Sequence, residues 1–367
     1  MLGHFSRGIV LEQHKEPALS GTIVEFLNSS GAKQYFTSEL ERELHKLTPT
    51  DILDLARMSE IIDETDGKSL YQKLLEAQGR HYTIVVADAV DDEPYVSSQM
   101  CMVLHKPQEL QDGIALVMRA LSIAKSAVAV YRNLTDLGAK IPSRLGDIPV
   151  RRIFGRYPVQ ERTQDAFAGE RVFLVGSNAL VHFARALREH RLQTTCFVTV
   201  GGDAIHTQQN MEVSRGMSLE LVLDRCGVTQ ALESIVIGGP MSGVSVIDPA
   251  NTVVTERTRA VLAFRENKKE RQYRCIGCGR CVDACPQSLT PFYLYQNIRK
   301  GKYGVLRFYD IDRCIECGTC SYICPSKLDV AALIIGAKHQ LAKTRAAART
   351  ASGEPAREEE SNVRTKA

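Results

Sequence analysis

Eight of the eleven cysteines in this 367-residue chain fall within one 50-residue window. They are spaced as Cys275-x2-Cys278-x2-Cys281-x3-Cys285-Pro286, and again as Cys314-x2-Cys317-x2-Cys320-x3-Cys324-Pro325. Three thiolates at intervals of three residues can wrap one cubane only in a tight loop, and a fourth, just before a proline, reaches to a neighbouring cluster. The spacing therefore predicts two [4Fe–4S] clusters. Cys275, Cys278, Cys281 and Cys324 are expected to hold one, and Cys314, Cys317, Cys320 and Cys285 the other. The runs repeat at a 39-residue offset, with seven of twelve positions identical.

Paired CxxC motifs also hold zinc, and dense cysteines also form disulfide frameworks. Structural zinc takes four ligands in two pairs, which leaves the third cysteine of each run and both prolines without a role. Disulfides need an oxidising compartment, and the opening Met1-Leu2-Gly3-His4-Phe5 has none of the basic, apolar and small-residue pattern of a secretory signal. A cytoplasmic setting is expected.

The length exceeds that of a free-standing ferredoxin, so the cluster module is expected to be attached to other domains. With 44% hydrophobic residues, 24% charged residues and a net charge of +3, the chain has material for ordinary cores and offers no nucleic-acid signature. The longest apolar-looking stretch, Gly113 to Tyr131, is broken by Arg119 and Lys125 and falls short of the ~18 uncharged residues of a membrane span.

Thr48-Pro49-Thr50-Asp51 reads as a helix start: a hydroxyl cap, proline in the first turn, and an acid three residues after the cap. Ile52, Leu55, Met58 and Ile62 follow at helical spacing. A second helix over Leu70–Gln78 leads to Tyr82–Ala87, a continuous apolar run of the kind a parallel strand shows when both its faces are covered. Pro107 opens a helix with Leu110, Ile114, Val117, Met118 and Leu121 on one side, and Ser126–Tyr131 is another buried strand. This alternation is α/β. Arg171–Gly176 and Ala179–Glu189 form a further strand and helix. Beyond Thr194 come short strands at Cys196–Val200, Met211–Val213 and Ser234–Ile237 around one small helix, capped by Ser218 and ended by Gly227. That grammar predicts a β-grasp domain. Between the cysteine runs, Thr290-Pro291 starts a helix with Phe292, Tyr295 and Ile298 on one side, residues suited to core packing or to shielding clusters from water. From Ala337 the chain turns to Ala, Arg, Glu and Ser, which predicts a fraying helix and then disorder.

This order of domains resembles the RnfC family, proteins of ion-translocating electron-transport complexes. The stretches that match are Gly8-Ile9-Val10-Leu11-Glu12-Gln13-His14-Lys15, Asp92-Glu93-Pro94-Tyr95, Arg156-Tyr157-Pro158-Val159, Val200-Gly201-Gly202-Asp203-Ala204, Gly238-Gly239-Pro240-Met241-Ser242-Gly243 and the cysteine runs. The resemblance implies a Rossmann-like parallel α/β domain, an SLBB-like β-grasp domain and a C-terminal ferredoxin-like module with two [4Fe–4S] clusters. The expected limits are 1–45 for a shortened N-terminal segment, 46–190 for the α/β domain and 191–265 for the β-grasp domain. The cluster module is expected over 266–336 and the tail over 337–367. Related proteins include the cobalamin reductase of propanediol utilisation and the electron-transfer protein associated with proline reductase.

Two departures bear on cofactors. Relatives that bind FMN and NADH carry a Gly-Gly-Ala-Gly-Phe-Pro loop, because only glycine lets backbone amides close onto a phosphate and a flat ring. Here the stretch is Ile62-Asp63-Glu64-Thr65-Asp66-Gly67-Lys68-Ser69-Leu70, and after Tyr157-Pro158 the expected glycines give way to Gln160-Glu161-Arg162. FMN and NAD(H) are therefore not expected to bind. Gly67-Lys68-Ser69 lacks the first glycine of a P-loop and reads as a polar turn, while Gly176-Ser177-Asn178 lacks the second and third glycines of a dinucleotide fingerprint. Asp88, Asp91, Asp92 and Glu93 read either as charge near a cofactor or as a solvated loop. Cys101, Cys196 and Cys226 read as small buried hydrophobes.

The expected role is that of an iron–sulfur electron-transfer protein, a subunit of an oxidoreductase rather than a stand-alone enzyme. It would relay single electrons between donor and acceptor protein partners, in the cytoplasm or docked through a partner at the inner face of a membrane, and could serve a reductase such as proline reductase. The alternatives are an FMN-dependent, NADH-oxidising subunit of an Rnf-type or cobalamin-reducing complex, and a non-redox module braced by its clusters. Basic residues near the first run (Lys268, Lys269, Arg271, Arg274, Arg280) predict docking of an acidic partner there. The second run is flanked by Asp310, Asp312 and Glu316.

Overall fold

In the computed structural model, residues 47–131, 141–229, 231–265 and 271–352 are described. The Gly8–Lys15 stretch, Lys268 and Lys269 lie outside them. The chain divides into two compact units at residue 268.

The first unit opens with helix α1 (Pro49–Ser59), started by a reciprocal cap. The Thr48 hydroxyl accepts from the Asp51 amide at 3.2 Å, and the Asp51 carboxylate accepts from the Thr48 amide at 2.8 Å. Its buried side is Ile52, Leu55, Ala56 and Ser59, while Met58 and Ile62 are half-buried. Helix α2 (Leu70–Ala77) follows, then strand β1 (Ile84–Ala89), every residue of which is buried. Val85, Ala87 and Ala89 join one core, and Ile84 and Val86 another on the opposite face. Period-two alternation over two covered faces is why this strand reads as an unbroken apolar run.

Helices α3 (Met100–His105) and α4 (Pro107–Ala120) lead to β2 (Lys125–Tyr131), parallel to β1 with Ile84 opposite Lys125. Leu110, Ile114 and Val117 of α4 are fully buried, each contributing about 1.5–3 kcal/mol of hydrophobic stabilisation. Strands β3 (Arg144–Leu145), β4 (Ile148–Ile153) and β5 (Val172–Gly176) complete a sheet ordered β3-β4-β2-β1-β5. Only the β3–β4 pairing is antiparallel. Helix α5 (Ser177–Glu189) follows β5 directly. The helices gather on one face of the sheet; Ile153, Val159 and Phe167, from the end of β4 and the irregular stretch after it, cover the other.

A second sheet uses β6 (Thr195–Gly201), β7 (Gln209–Ser214), β8 (Ser234–Ile237), β9 (Val244–Val246) and β10 (Ala260–Phe264), in the order β7-β6-β10-β8-β9. The central β6–β10 pair is parallel and the remaining pairs antiparallel. One helix, α6 (Leu219–Cys226), packs Leu219, Val222, Leu223 and Cys226 onto this sheet, and the Ser218 hydroxyl caps it by accepting from the Leu221 amide at 3.3 Å. A two-hairpin sheet with a parallel central pair and one covering helix is the β-grasp arrangement.

In the second unit the sequence repeat is a structural repeat. Helices α7 (Arg280–Asp283) and α8 (Pro291–Arg299) have counterparts α9 (Thr319–Tyr322) and α10 (Val330–Ser352), each starting 39 residues later. The left-handed residues coincide at the same offset: Gly277 with Glu316, Gly279 with Gly318, Ser288 with Lys327. Leu294, Ile298, Leu306, Ile311, Leu328, Val330 and Ile334 form the core between the halves. Helix α10 runs unbroken through Ala337, which is itself buried in that core.

Candidate metal centres

Each cysteine run bends around a tight loop, turned by a left-handed residue between its first two cysteines and another between its second and third. A one-turn helix then carries the third cysteine, and the fourth lies two residues past that helix, immediately before the proline. The consequence is two cavities. Cys275, Cys278 and Cys281 line one together with Cys324 from the other run; Phe292, Tyr295, Leu328 and Val330 form its apolar wall. Cys314, Cys317 and Cys320 line the second together with Cys285, walled by Leu289, Leu294, Ile334 and Ile335. Counting their open mouths, they enclose ≈ 400 and ≈ 430 Å³.

The donor set suits iron–sulfur clusters, which are bound by four thiolates within an apolar shell. Burial pushes the Cys320 thiol up to about 12, and it also raises Cys281 and Cys314, the last partly offset by Lys338. Bare thiolates are disfavoured between such walls, and bound iron would supply the positive charge that holds them ionised. Local donors add to this environment: the Leu289 amide lies 3.4 Å from the Cys285 sulfur and the Thr319 hydroxyl 3.3 Å from that of Cys317. Such contacts tune cluster potentials.

The two loops are braced differently. Gly277 takes the left-handed position in the first run, and Glu316 takes it in the second. Lys338 of α10 donates to both the Glu316 carboxylate and the Cys314 carbonyl at 2.7 Å, and a His339 ring nitrogen lies 3.1 Å from Glu316. Nothing in the sequence marks Lys338, because its segment has the composition of a tail. Of the acids flanking the second run, Asp312 meets Arg345 at 2.9 Å, while Asp310 lies 3.8 Å from Arg313 with both side chains exposed. Of the residues expected to shield clusters, Phe292 and Tyr295 line the first cavity and Ile298 is core.

In the first unit, the loop Ile62–Leu70 lies against the end of β5 and the start of α5. The Glu64 carboxylate accepts from the amides of Asn178 and Ala179 at 2.9 and 3.0 Å, and Asp63 accepts from Gly176 at 3.2 Å. Asp63 is also paired with Lys73 at 2.5 Å. These acids are thus bound by the amide groups that a helix start offers to an anion. Burial beside Asp63 pushes Glu64 up to about 8. A Cβ on Gly176 would fall 2.1 Å from the Glu64 carboxylate and push it off these amides, so glycine leaves room for the bond.

Asp88, Asp91, Asp92 and Glu93 are not a solvated loop. Asp88 and Asp91 are fully buried. Asp91 pairs with Arg259 at 2.7 Å and accepts from the amides of Gln99 and Met100 at 2.9 Å. Asp92 accepts from the Val159 amide at 2.5 Å and the Gln160 amide at 3.0 Å, and Glu93 from the Met241 amide at 2.8 Å. Glu93 crowds Gly239 as Glu64 crowds Gly176. The acidic run therefore ties the end of β1 to the segments after β4, after β8 and before β10. Cys101, Cys196 and Cys226 are buried.

The cysteine geometry and the flanking fold define a class: an iron–sulfur protein with a dicluster module. Residues 274–328 match the family model described as a 4Fe-4S dicluster domain. The chain is a homologue of curated RnfC proteins of ion-translocating oxidoreductase complexes. It is 28% identical over 241 residues to that of Rhodobacter capsulatus, covering 60% of this chain and 46% of the relative. It is 25% identical over 281 residues to that of Vibrio cholerae, covering 71% and 36%. The corresponding protein of the Na(+)-translocating ferredoxin:NAD(+) oxidoreductase complex of Acetobacterium woodii is 26% identical over 227 residues, covering 56% and 51%. These matches span about half or less of the relatives' lengths. The fold is similar to a chain of an NAD+-reducing [NiFe]-hydrogenase, with a TM-score of 0.56 at 12% identity over 90% of this chain and 68% of that one. Among the described residues no helix is long and apolar enough to cross a membrane.

Proposed function

We infer that this chain is an electron-transfer subunit that relays single electrons between protein partners through two [4Fe–4S] clusters. Cys275, Cys278, Cys281 and Cys324 would hold one cluster, and Cys314, Cys317, Cys320 and Cys285 the other. The observation that carries this reading is the pair of cavities, each lined by three cysteines of one run and the fourth of the other. When bound, such clusters accept and donate electrons one at a time. The chain's own residues ligate them, exclude water with Phe292, Tyr295, Leu294 and Ile334, and direct donors at Cys285 and Cys317. By its likeness to proteins of ion-translocating complexes, it works in the cytoplasm, beside donor and acceptor subunits at the inner face of a membrane. An SLBB-like partner-binding role for the β-grasp domain, and service to a reductase such as proline reductase, belong to the same reading.

A second reading is an FMN-dependent, NADH-oxidising subunit of an Rnf-type or cobalamin-reducing complex; what favours it is that one relative belongs to a ferredoxin:NAD(+) oxidoreductase complex. Against it stands the loop Ile62–Leu70, whose Asp63 and Glu64 already engage the amides at the start of α5. We therefore favour a chain that receives electrons from another subunit. Anaerobic purification followed by iron and flavin analysis decides between the two. About eight irons per chain without FMN and without NADH-dependent dye reduction supports the first reading; one FMN per chain and reduction by NADH supports the second.

A further inference from the structure

Between the cysteine runs, residues 299–309 read Arg-Lys-Gly-Lys-Tyr-Gly-Val-Leu-Arg-Phe-Tyr, with four basic residues and no acid. Arg299, Lys300, Lys302 and Arg307 are all exposed, and none forms an ion pair among the described residues. Apolar groups stand among them: Phe308 is 85% exposed, Tyr293 50% and Val305 41%. Only Leu306 of this stretch is fully buried, anchoring it to the core. The patch is continuous with the first cavity. Phe292, which lines that cavity, meets Tyr293 edge-on at 5.1 Å; Tyr293 stacks on Tyr309 at 5.7 Å, and Tyr309 meets Phe308 at 5.5 Å.

We propose that this turn, centred on Phe308 and ringed by Arg299, Lys300, Lys302 and Arg307, is the docking surface for an acidic redox protein that exchanges electrons with the first cluster. The proposal rests on the electron-transfer reading above. Unpaired positive charge steers an acidic partner and raises its association rate, while an exposed aromatic anchor supplies holding energy. The path from Phe308 to Phe292 brings such a partner against the wall of the cavity lined by Cys275, Cys278 and Cys281, and electron exchange weakens steeply with separation. The second run also exposes an aromatic, Tyr322, but the charges beside it are acidic: Asp312 and Glu316, engaged by Arg345, Lys338 and His339, and the exposed Asp310, 3.8 Å from Arg313. The turn has no counterpart in the second half, because α10 continues as helix where α8 stops.

The test is binding of the anaerobically purified full chain to an acidic bacterial-type ferredoxin, measured by calorimetry at low and high salt. The combined variant K300E, K302E and R307E, and separately F308S, should each weaken binding by about tenfold. The visible spectrum should remain that of the parent, which shows that the clusters and the fold survive. Added salt should weaken the parent's binding and leave the charge-reversed variant's nearly unchanged. Undiminished affinity in both variants, or no binding by the parent, overturns the proposal. Sedimentation with phosphatidylglycerol vesicles that depends on these residues, without ferredoxin binding, overturns it in favour of a lipid surface. Binding that appears only when the chain is cut after Ser352 overturns it in favour of the segment carrying Glu358, Glu359 and Glu360 as the resident. A parent without cluster signals would sink the electron-transfer reading instead, and the binding measurement separates that failure from this one.

Discussion

The ammonium of Lys338 donates to the carbonyl oxygen of Cys314 at 2.7 Å, while the same nitrogen holds Glu316. One side chain of α10 thus fixes the start of the second cysteine loop. Replacing Lys338 by Met removes two charge-assisted bonds and leaves Glu316, in its left-handed conformation, to His339 alone. We expect a local loss of about 1–3 kcal/mol. Spectroscopy during air exposure should show the cluster bound by Cys314, Cys317 and Cys320 decaying faster than in the parent, with the first cluster unchanged. Equal decay of both would show that the brace does not act locally.

Cys285 lines the cavity of the opposite run. Replacing it by Ala should damage the cluster held by Cys314, Cys317 and Cys320 and spare the one held by Cys275, Cys278 and Cys281. Electron paramagnetic resonance of the reduced protein distinguishes the two sites, and loss confined to the first cluster would refute the crossed assignment.

Glu64 serves as the cap of a helix far from it in sequence. Glu64→Ala should therefore cost about 1–2 kcal/mol in urea unfolding, as loss of an N-cap does. Flavin should still be absent from the purified variant, because Asp63 and Asp66 remain. Stoichiometric FMN in the variant would show that Glu64 alone closes that site.

His182 is buried in α5 against the Phe197 ring, and burial followed by repulsion from Arg185 pushes it down to about 3. A histidine depressed from 6.5 is neutral when folded, so the stability it contributes is present above pH 6.5 and is lost as pH falls toward 3. The slope is at most about 1.4 kcal/mol per pH unit. Urea unfolding of the parent and of His182→Leu between about pH 4 and pH 7 should give a stability difference that narrows or reverses as pH falls. A constant difference would show that His182 titrates normally.

Local signals made much of the fold legible. Thr48, Pro49 and Asp51 announce α1 because the cap is made within four residues, and β1 shows itself because both its faces are covered. The cysteine cavities are legible for the same reason: three of the four cysteines lining each lie within one loop. What stayed hidden depends on partners distant in sequence. Asp91 looks solvated until Arg259 arrives from before β10, and the carboxylate of Glu64 gives no sign that it will meet amides at 178 and 179. Asp312 and Glu316 suggest an acidic surface, yet Arg345 and Lys338 cancel them from α10. Charge counted along the chain is not charge presented to a partner.

The structural repeat has a consequence for how this module can be built or broken. Each cavity borrows one cysteine from the other copy, so a chain severed between residues 299 and 313 would leave each half with three thiols around its cavity and one thiol pointing at nothing. Neither copy is a spare. On the proposed crossed ligation the halves would mature together, and damage that unseats Cys324 in one loop would be felt first by the cluster of the other.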